Sequence, residues 1–269
     1  MWDFEHPPLD SELARRYNIE RMTPSECAAR LADGTADLGL IPIAALASTP
    51  GLRILPGCTI ASKDYVRSLL LVRRTAMPLA AIRTVAADTA SRTTIAYSRI
   101  LFRLWGNPAA EFMPMTADLD AMLERADAAI VIGDPALLAL EERVNREQRS
   151  GEELVYHDLA HEWHALTGLT FVSAVWCASP FAGSDIDERV CEDMIRSRDH
   201  GLRNIDAIAT EWAGRIPMNE ETIRNYLANN IHYVLDDECL DGMKGFFRIA
   251  AEHGVLPEYE FKVEALTPR

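Results

Sequence analysis

The stretch ADAAIVIGDPAL at residues 126–137 joins a short apolar run to a helix start. Ala128–Ile132 is apolar throughout and of strand length, which is typical of a strand buried on both faces. Gly133 ends this run, and Asp134 followed by Pro135 has the form of an N-cap and a first helical residue. A buried strand that leads directly into a helix predicts an α/β sheet.

The same design occurs upstream. Val85–Ala87 predicts a strand, Asp88–Thr94 a polar loop, and the following residues a helix that ends at Gly106. Tyr97, with three later apolar residues, forms the buried stripe of that helix. Two strand-to-helix junctions in one region favour a self-contained lobe.

Further elements lie outward from this pair. Thr23–Glu26 predicts a helix start with a capping box, and Gly34 its end. Three more apolar runs predict strands, and residues from about 185 onward are predicted to be helical. These runs are Asp37–Ile43, Val66–Val72 and Phe171–Trp176. In the first run, Pro42 is expected to stop sheet pairing.

Alternating strands and helices predict an α/β protein whose two lobes each contain a mostly parallel sheet flanked by helices. We expect residues 76–169 to form the second lobe. Residues 1–75 and 170–269 would form the first lobe, with a ligand cleft between the two lobes.

Composition excludes several classes of protein. The 269 residues carry a net charge of −14, which argues against a nucleic-acid partner. The chain has five cysteines, an odd number, and no C-x-x-C motif, so neither a disulfide framework nor a zinc knuckle is predicted. No apolar run approaches the roughly 18 residues needed to span a bilayer, and the N-terminus shows no export signal, so we expect no membrane partner and a cytoplasmic location. The oligomeric state is not predicted.

Ligands of open α/β sheets bind outside the carboxyl ends of the strands. This rule selects Ile41 and Pro42 after one strand, and Gly133 and Asp134 after another. Asp134 can act as a general acid or base, although a plain N-cap is the simpler interpretation.

The polar loop supplies a second group of candidates. The backbone N–H groups at the start of its helix can hold a carboxylate, together with the hydroxyls of Thr89, Ser91, Thr93 and Thr94. Capping of their own helix is the alternative for these hydroxyls. Arg67 and Arg92 can clamp a carboxylate or can form ordinary ion pairs.

A serine and a group of histidines are the remaining candidates for chemistry. Ser68 is a hydroxyl in an otherwise apolar strand and needs a partner if it is buried. His157, His161 and His164 would share a helical face, but a solvated face is favoured over a metal site. Dinucleotide, triphosphate and serine-hydrolase motifs are absent, so no cofactor or metal is predicted.

Several segments in order resemble the chorismate dehydratase family of the futalosine route to menaquinone. They are DLGLIPI (37–43), YVRSLLL (65–71), DTASRTT (88–94), ADAAIVIGDPAL (126–137) and LTGLTFVSAVW (166–176). The resemblance implies a type II periplasmic-binding-protein fold acting as a cytosolic enzyme on a small carboxylate, chorismate. It implies a catalytic role for Ser68 and substrate contacts at the polar loop and at the two strand ends.

The start of the chain departs from the family pattern. Family members begin with a short strand carrying an F-L-N-T-like motif, whereas this chain begins Met1-Trp2-Asp3-Phe4-Glu5-His6. The strand and its asparagine, the family's other candidate catalytic residue, do not occur in this sequence, so we expect either that the sequence starts late relative to the natural protein or that this piece has been lost.

Two other functions are compatible with the sequence. A solute-binding protein for a small cyclic carboxylate would use the same fold without chemistry. The sister enzyme that acts on a later cyclic intermediate is less favoured, because the matched segments contain no histidine.

Overall fold

The computed structural model describes residues 1–88, 92–183 and 188–263. The chain divides into two compact units. The first contains residues 1–61, residues 172–240 and the residues from Glu260, and the second contains residues 62–171 and 241–259. The sequence-based boundaries differ from this division, because they assign residues 62–75, 170–171 and 241–259 to the first lobe.

Nine strands are described. They are β1 (Leu38–Pro42), β2 (Arg53–Ser62), β3 (Leu69–Arg74), β4 (Thr84–Asp88), β5 (Glu111–Met115), β6 (Ala128–Ile132), β7 (Leu154–Asp158), β8 (Phe171–Ala178) and β9 (His232–Leu235).

The helices lie between and around these strands, beside a 3₁₀-helix at Leu79–Ala81 and a π-helix at Tyr226–Asn230. They are α1 (Trp2–Glu5), α2 (Asp10–Arg16), α3 (Pro24–Asp33), α4 (Ile43–Leu46), α5 (Arg92–Leu104), α6 (Leu119–Arg125), α7 (Asp134–Glu141), α8 (Arg143–Ser150), α9 (Leu159–Thr167), α10 (Glu188–Arg203), α11 (Ile205–Ala213), α12 (Glu220–Asn225) and α13 (Asp237–Glu252).

The first unit contains a four-stranded sheet in the order β1-β8-β2-β9. β1 runs antiparallel to β8, and β2 runs antiparallel to β9. The α3 helix that precedes β1 begins as expected. The Thr23 hydroxyl accepts the backbone N–H of Glu26, whose side chain accepts the N–H of Thr23, and Gly34 ends the helix with a φ of 77°.

The second unit contains a five-stranded sheet in the order β5-β4-β6-β3-β7. β4 runs parallel to β5 and β6, whereas β3 runs antiparallel to β6 and β7. The expectation of mostly parallel sheets is therefore wrong for both units. In the five-stranded sheet both antiparallel pairings involve β3, which runs against β6 and β7, whereas β4 keeps the parallel direction that helical crossovers produce.

The pairing of β3 also explains why residues 62–75 belong to the second unit. All six residues of β3 lie in the central region of the five-stranded sheet, between β6 and β7. The sequence-based boundary at residue 76 separates this strand from the sheet in which it pairs.

An aromatic cluster forms part of the core of the second unit. Tyr97 of α5 stacks on Phe171 at 3.9 Å between ring centroids and lies 4.3 Å from Phe246 of α13. Trp163 of α9 meets the same ring edge-on at 4.7 Å. All four side chains are fully buried, and aromatic groups of this size contribute strongly to core stability.

Gly242 lets α13 approach the end of the α9–β8 connection. A Cβ at this position would lie 2.4 Å from the backbone oxygen of Thr170, which no side chain can tolerate without a shift. Only glycine fits at this contact without a shift of the backbone. None of the helices in the described part of the chain is long and apolar enough to cross a membrane.

The aromatic cluster gives a stability prediction. Trp163→Ala should lower the free energy of unfolding by about 3–5 kcal/mol, because it leaves a large cavity. Trp163→Phe should cost much less, since the indole Nε1–H is buried without a hydrogen-bond partner among the described residues and its removal restores about 1–3 kcal/mol. Urea titration measures both values. Val144→Ala, at an exposed position of α8, is the control; equal losses for the two Trp163 variants would contradict the prediction.

Candidate functional site

The ends of several strands meet at one edge of the five-stranded sheet, which we call the carboxyl edge. Asp88 ends β4 there. Ile132 ends β6 opposite Leu69, the first residue of β3, and Asp158 ends β7 opposite Leu70. Because β3 runs against its neighbours, its amino end lies beside their carboxyl ends. The residues just before β3 therefore belong to the same edge.

Ser68 immediately precedes β3 and lies at this edge. Its backbone oxygen accepts the N–H of Gly133 at 2.7 Å, and the residue is 5% exposed. The structure thus brings together two segments that the sequence selected separately, the serine of YVRS and the glycine that follows β6.

Asp158 fixes the segment that leads to Ser68. Its carboxylate accepts the backbone N–H groups of Val66 at 3.3 Å and Arg67 at 2.6 Å. The same carboxylate caps α9 by accepting the N–H groups of Ala160 at 3.1 Å and His161 at 3.3 Å. Burial raises the pKa of Asp158 above its ordinary value, and the four N–H groups act in the opposite direction. One side chain therefore ties the residues before β3 to the start of α9.

These bonds explain why β3 begins three residues later than the sequence predicts. Extended pairing was expected from Val66, but its N–H and that of Arg67 are used by the carboxylate. Arg67 also has a φ of 65°, a left-handed conformation that costs a non-glycine residue about 1–3 kcal/mol. Its side chain is exposed, directly beside Ser68.

An aromatic pair lies next to this segment. The rings of Tyr65 and His161 stack at 4.0 Å between centroids with an interplanar angle of 8°. The Nδ1 atom of His161 lies 2.6 Å from a carboxylate oxygen of Asp64. Tyr65 is 48% exposed, so the pair presents an aromatic face to solvent. The sequence reasoning missed it, because His161 was considered only with the other two histidines.

The three histidines do not share a helical face. His157 lies in β7, and α9 begins only at Leu159. The His157 imidazole is 2.7 Å from Glu162 and accepts the Nε–H of Arg73 at 3.0 Å. Asp158 ends the strand and caps the helix, which is why the continuous periodicity of this segment was misleading.

The polar loop after β4 is described only in part. Thr89 and Ser91 lie outside the described residues. Arg92 begins α5 with an exposed side chain, whereas Thr93 and Thr94 are 1% and 2% exposed in its first turn. The backbone oxygen of Thr94 accepts the hydroxyl of Ser98 at 2.7 Å.

Asp134 does not cap α7. Gly133 is the N-cap, with a φ of 72° and a ψ of −141°, and no side chain makes a cap bond there. Asp134 is the first helical residue and is exposed. The N-cap expectation was therefore wrong by one position, because the glycine turn already provides the change of chain direction. The carboxylate of Asp134 lies in the first helical turn, near the carboxyl edge.

Ile41 and Pro42 belong to the first unit. Ile41 is fully buried opposite Val175 of β8, and Pro42 still has Ala174 as its register partner before it becomes the N-cap of α4. Pro42 is the last residue of β1, which confirms the expectation that sheet pairing stops at this proline. Since the side chain of Ile41 is in the core, it has a packing role in this unit.

The first unit also contains a partly open apolar cavity of about 330 Å³. Its polar wall groups are bonded within the unit: the Tyr233 hydroxyl donates to the backbone oxygen of Leu227 at 3.1 Å, and the Thr59 hydroxyl donates to that of Ala174 at 2.8 Å. Its walls contain none of the predicted site residues that the structure describes. It offers an apolar ligand space but little chemistry.

Comparison with solved structures shows the fold. Protein AF1704 from Archaeoglobus fulgidus has a TM-score of 0.65 at 16% identity, with 95% of this chain and 94% of that chain covered. The periplasmic aliphatic sulphonate binding protein SsuA from Escherichia coli has a TM-score of 0.64 at 14% identity, with 92% and 87% covered. These similarities confirm the expected periplasmic-binding-protein fold.

Comparison with family models shows the family. The model described as menaquinone biosynthesis matches residues 2–252, which is nearly the whole chain. It spans both units and every element of the carboxyl edge. The chain therefore belongs to the menaquinone biosynthesis family.

Proposed function

We propose that the protein is a chorismate dehydratase, a carbon–oxygen lyase that forms 3-[(1-carboxyvinyl)oxy]benzoate for the futalosine route. Membership of the menaquinone biosynthesis family supports a role in the pathway. The observation that carries the specific reaction is the fixed position of Ser68. Its carbonyl is held by Gly133, and the two preceding N–H groups are held by Asp158.

The reaction requires the protein mainly to orient the substrate. Chorismate loses a proton from C3 and a hydroxyl from C4 of its ring, and the product ring is aromatic. Because aromatisation drives the reaction, the enzyme has mainly to hold the reacting groups in line and to exclude water. The hydroxyl of Ser68 is proposed to contact the leaving hydroxyl or the proton at C3, and a substrate carboxylate can accept that proton.

The surroundings of Ser68 suit a cyclic dicarboxylate. The exposed guanidinium of Arg67 adjoins Ser68 and can bind a carboxylate in bidentate fashion. The first turn of α5, with Arg92, Thr93 and Thr94, adds backbone donors at the same edge. The stacked rings of Tyr65 and His161 provide an apolar face for the substrate ring. The guanidinium of Arg67 and the backbone donors of α5 would supply local contacts for an anion in a chain with a net charge of −14.

A solute-binding protein is the second candidate, and the likeness of the fold to SsuA favours it. The two functions differ in one measurable respect. An enzyme converts its ligand, whereas a binding protein releases it unchanged.

The first test is incubation of the purified protein with chorismate, followed by chromatography and mass analysis. We expect 3-[(1-carboxyvinyl)oxy]benzoate to form at a rate far above the spontaneous background. Saturable binding of chorismate without product would support the binding protein instead. If the protein neither binds chorismate nor forms the product, both candidate functions are contradicted.

Ser68→Ala should lower turnover of chorismate by about 10² or more if the hydroxyl takes part in proton transfer. The matched control is Ser179→Ala, a fully buried serine of the first unit whose hydroxyl donates to the backbone oxygen of Leu31. That variant should lose some stability and keep its turnover. An unchanged rate in Ser68→Ala would remove Ser68 from the mechanism.

Asp158→Asn tests the positioning of Ser68. The amide keeps one acceptor oxygen but cannot accept all four N–H groups, so the segment before β3 should shift and turnover should fall by about 10-fold or more. Asp118→Asn, at the N-cap of α6, is the control and should affect stability only. If Asp158 acts through Ser68, the double variant Ser68→Ala/Asp158→Asn should turn over no more slowly than Ser68→Ala alone. Fully additive losses would argue against this coupling.

A further inference from the structure

Three side chains of different chemistry converge in the first unit, and none of them belongs to the carboxyl edge. They are His232 of β9, Asp236 in the link after it, and Cys239 of α13. One imidazole nitrogen, one carboxylate oxygen and the sulfur all lie within 4.8 Å of one another. Among the described residues, this is the one group of three potential metal ligands whose ligand atoms all lie this close together.

The local fold holds the three groups in place. Asp236 starts α13: its Oδ1 atom accepts the N–H of Cys239 at 2.9 Å, and its backbone oxygen accepts the N–H of Leu240 at 3.0 Å. Its other oxygen, Oδ2, lies 2.9 Å from Nε2 of His232. The carboxylate therefore uses one oxygen for the helix start and presents the other to the imidazole. The pairing of His232 with Ala61 of β2 fixes the strand that carries the ring.

Burial differs across the group. Cys239 is fully buried, whereas the side chains of His232 and Asp236 are 25% and 30% exposed. An ion can thus approach from the imidazole and carboxylate side and meet the sulfur from within the fold. The thiol is directed toward the backbone oxygen of Val234 at 3.5 Å, which is a weak hydrogen bond that a metal–sulfur bond readily replaces.

We propose that His232, Asp236 and Cys239 form a binding site for a divalent transition metal, of which Zn²⁺ and Co²⁺ are the best suited. Imidazole, thiolate and carboxylate together match these ions, whereas Mg²⁺ and Ca²⁺ require sets of oxygen ligands. Binding releases the thiol proton to solvent and leaves Oδ1 of Asp236 on the helix start. Three protein ligands leave a fourth position for water or another small ligand.

The spacing H-x₃-D-x₂-C that creates this group is visible in the sequence but matches no common metal motif. Other close histidine–carboxylate pairs, such as His157 with Glu162 and His161 with Asp64, have no thiol in such a group among the described residues. They are therefore suitable internal comparisons. The proposal is independent of the dehydratase activity.

Titration of the chelator-treated, reduced protein with Co²⁺ tests the site. We expect one equivalent to bind and to produce a thiolate-to-cobalt charge-transfer band together with the visible bands of a four-coordinate ion. Added Zn²⁺ should abolish both. No charge-transfer band in the folded wild-type protein would overturn the proposal.

Variants identify the ligands. Cys239→Ser should eliminate the charge-transfer band, and His232→Gln should weaken Co²⁺ binding by at least about 10-fold. His232→Gln is at a partly exposed position, so it tests the site even if Cys239→Ser fails to fold. The matched controls are Cys27→Ser, which removes the most exposed of the five thiols, and His161→Gln. A band lost in Cys27→Ser but retained in Cys239→Ser, or affinity unchanged in His232→Gln, would overturn the assignment.

Discussion

The hydrogen bonds of the Asp158 carboxylate are the interaction on which the carboxyl edge depends. A single buried side chain serves two segments that lie more than ninety positions apart in sequence, the residues before β3 and the start of α9. Burial of an ionised carboxylate is costly unless its oxygens are hydrogen-bonded, and four backbone N–H groups supply those bonds here. The same bonds end the extended conformation of the chain at Val66 and Arg67. The position of Ser68 follows from them.

The direction of β3 is the second constraint. A strand that ran parallel to β6 would bring its carboxyl end to this edge and carry Ser68 to the opposite one. In the antiparallel arrangement, Leu69 pairs with Ile132 and Ser68 meets the N–H of Gly133. The helix starts of α7 and α9 then lie at the same edge as the serine. At α9 the first-turn N–H groups are bonded by the Asp158 carboxylate, which occupies the place that an external anion would take at that helix start.

The two units carry different chemistry. The second unit has the serine, the stacked Tyr65 and His161 rings and the helix starts. The first unit contains an apolar cavity and the group formed by His232, Asp236 and Cys239. Asp158 and Asp236 nevertheless use the same device. Each carboxylate accepts N–H groups at a helix start through its Oδ1 atom. The Oδ2 atom of Asp158 also accepts the N–H of Arg67, and the Oδ2 atom of Asp236 lies beside the imidazole of His232. Capping residues therefore organise both candidate sites.

The sequence by itself determined the local elements whose signals lie within a few residues. The capping box of α3, its end at Gly34 and the strand Ala128–Ile132 all follow from neighbouring side chains and backbone preferences. The order of the matched segments also indicated the fold and the family. Only the tertiary structure decided the direction of β3, the partners of Asp158 and the meeting of His232 with Cys239. Strand pairing and long-range hydrogen bonds depend on which distant segments are brought together, and the helical period of His157 to His164 could not reveal that a capping carboxylate divides that segment into a strand and a helix.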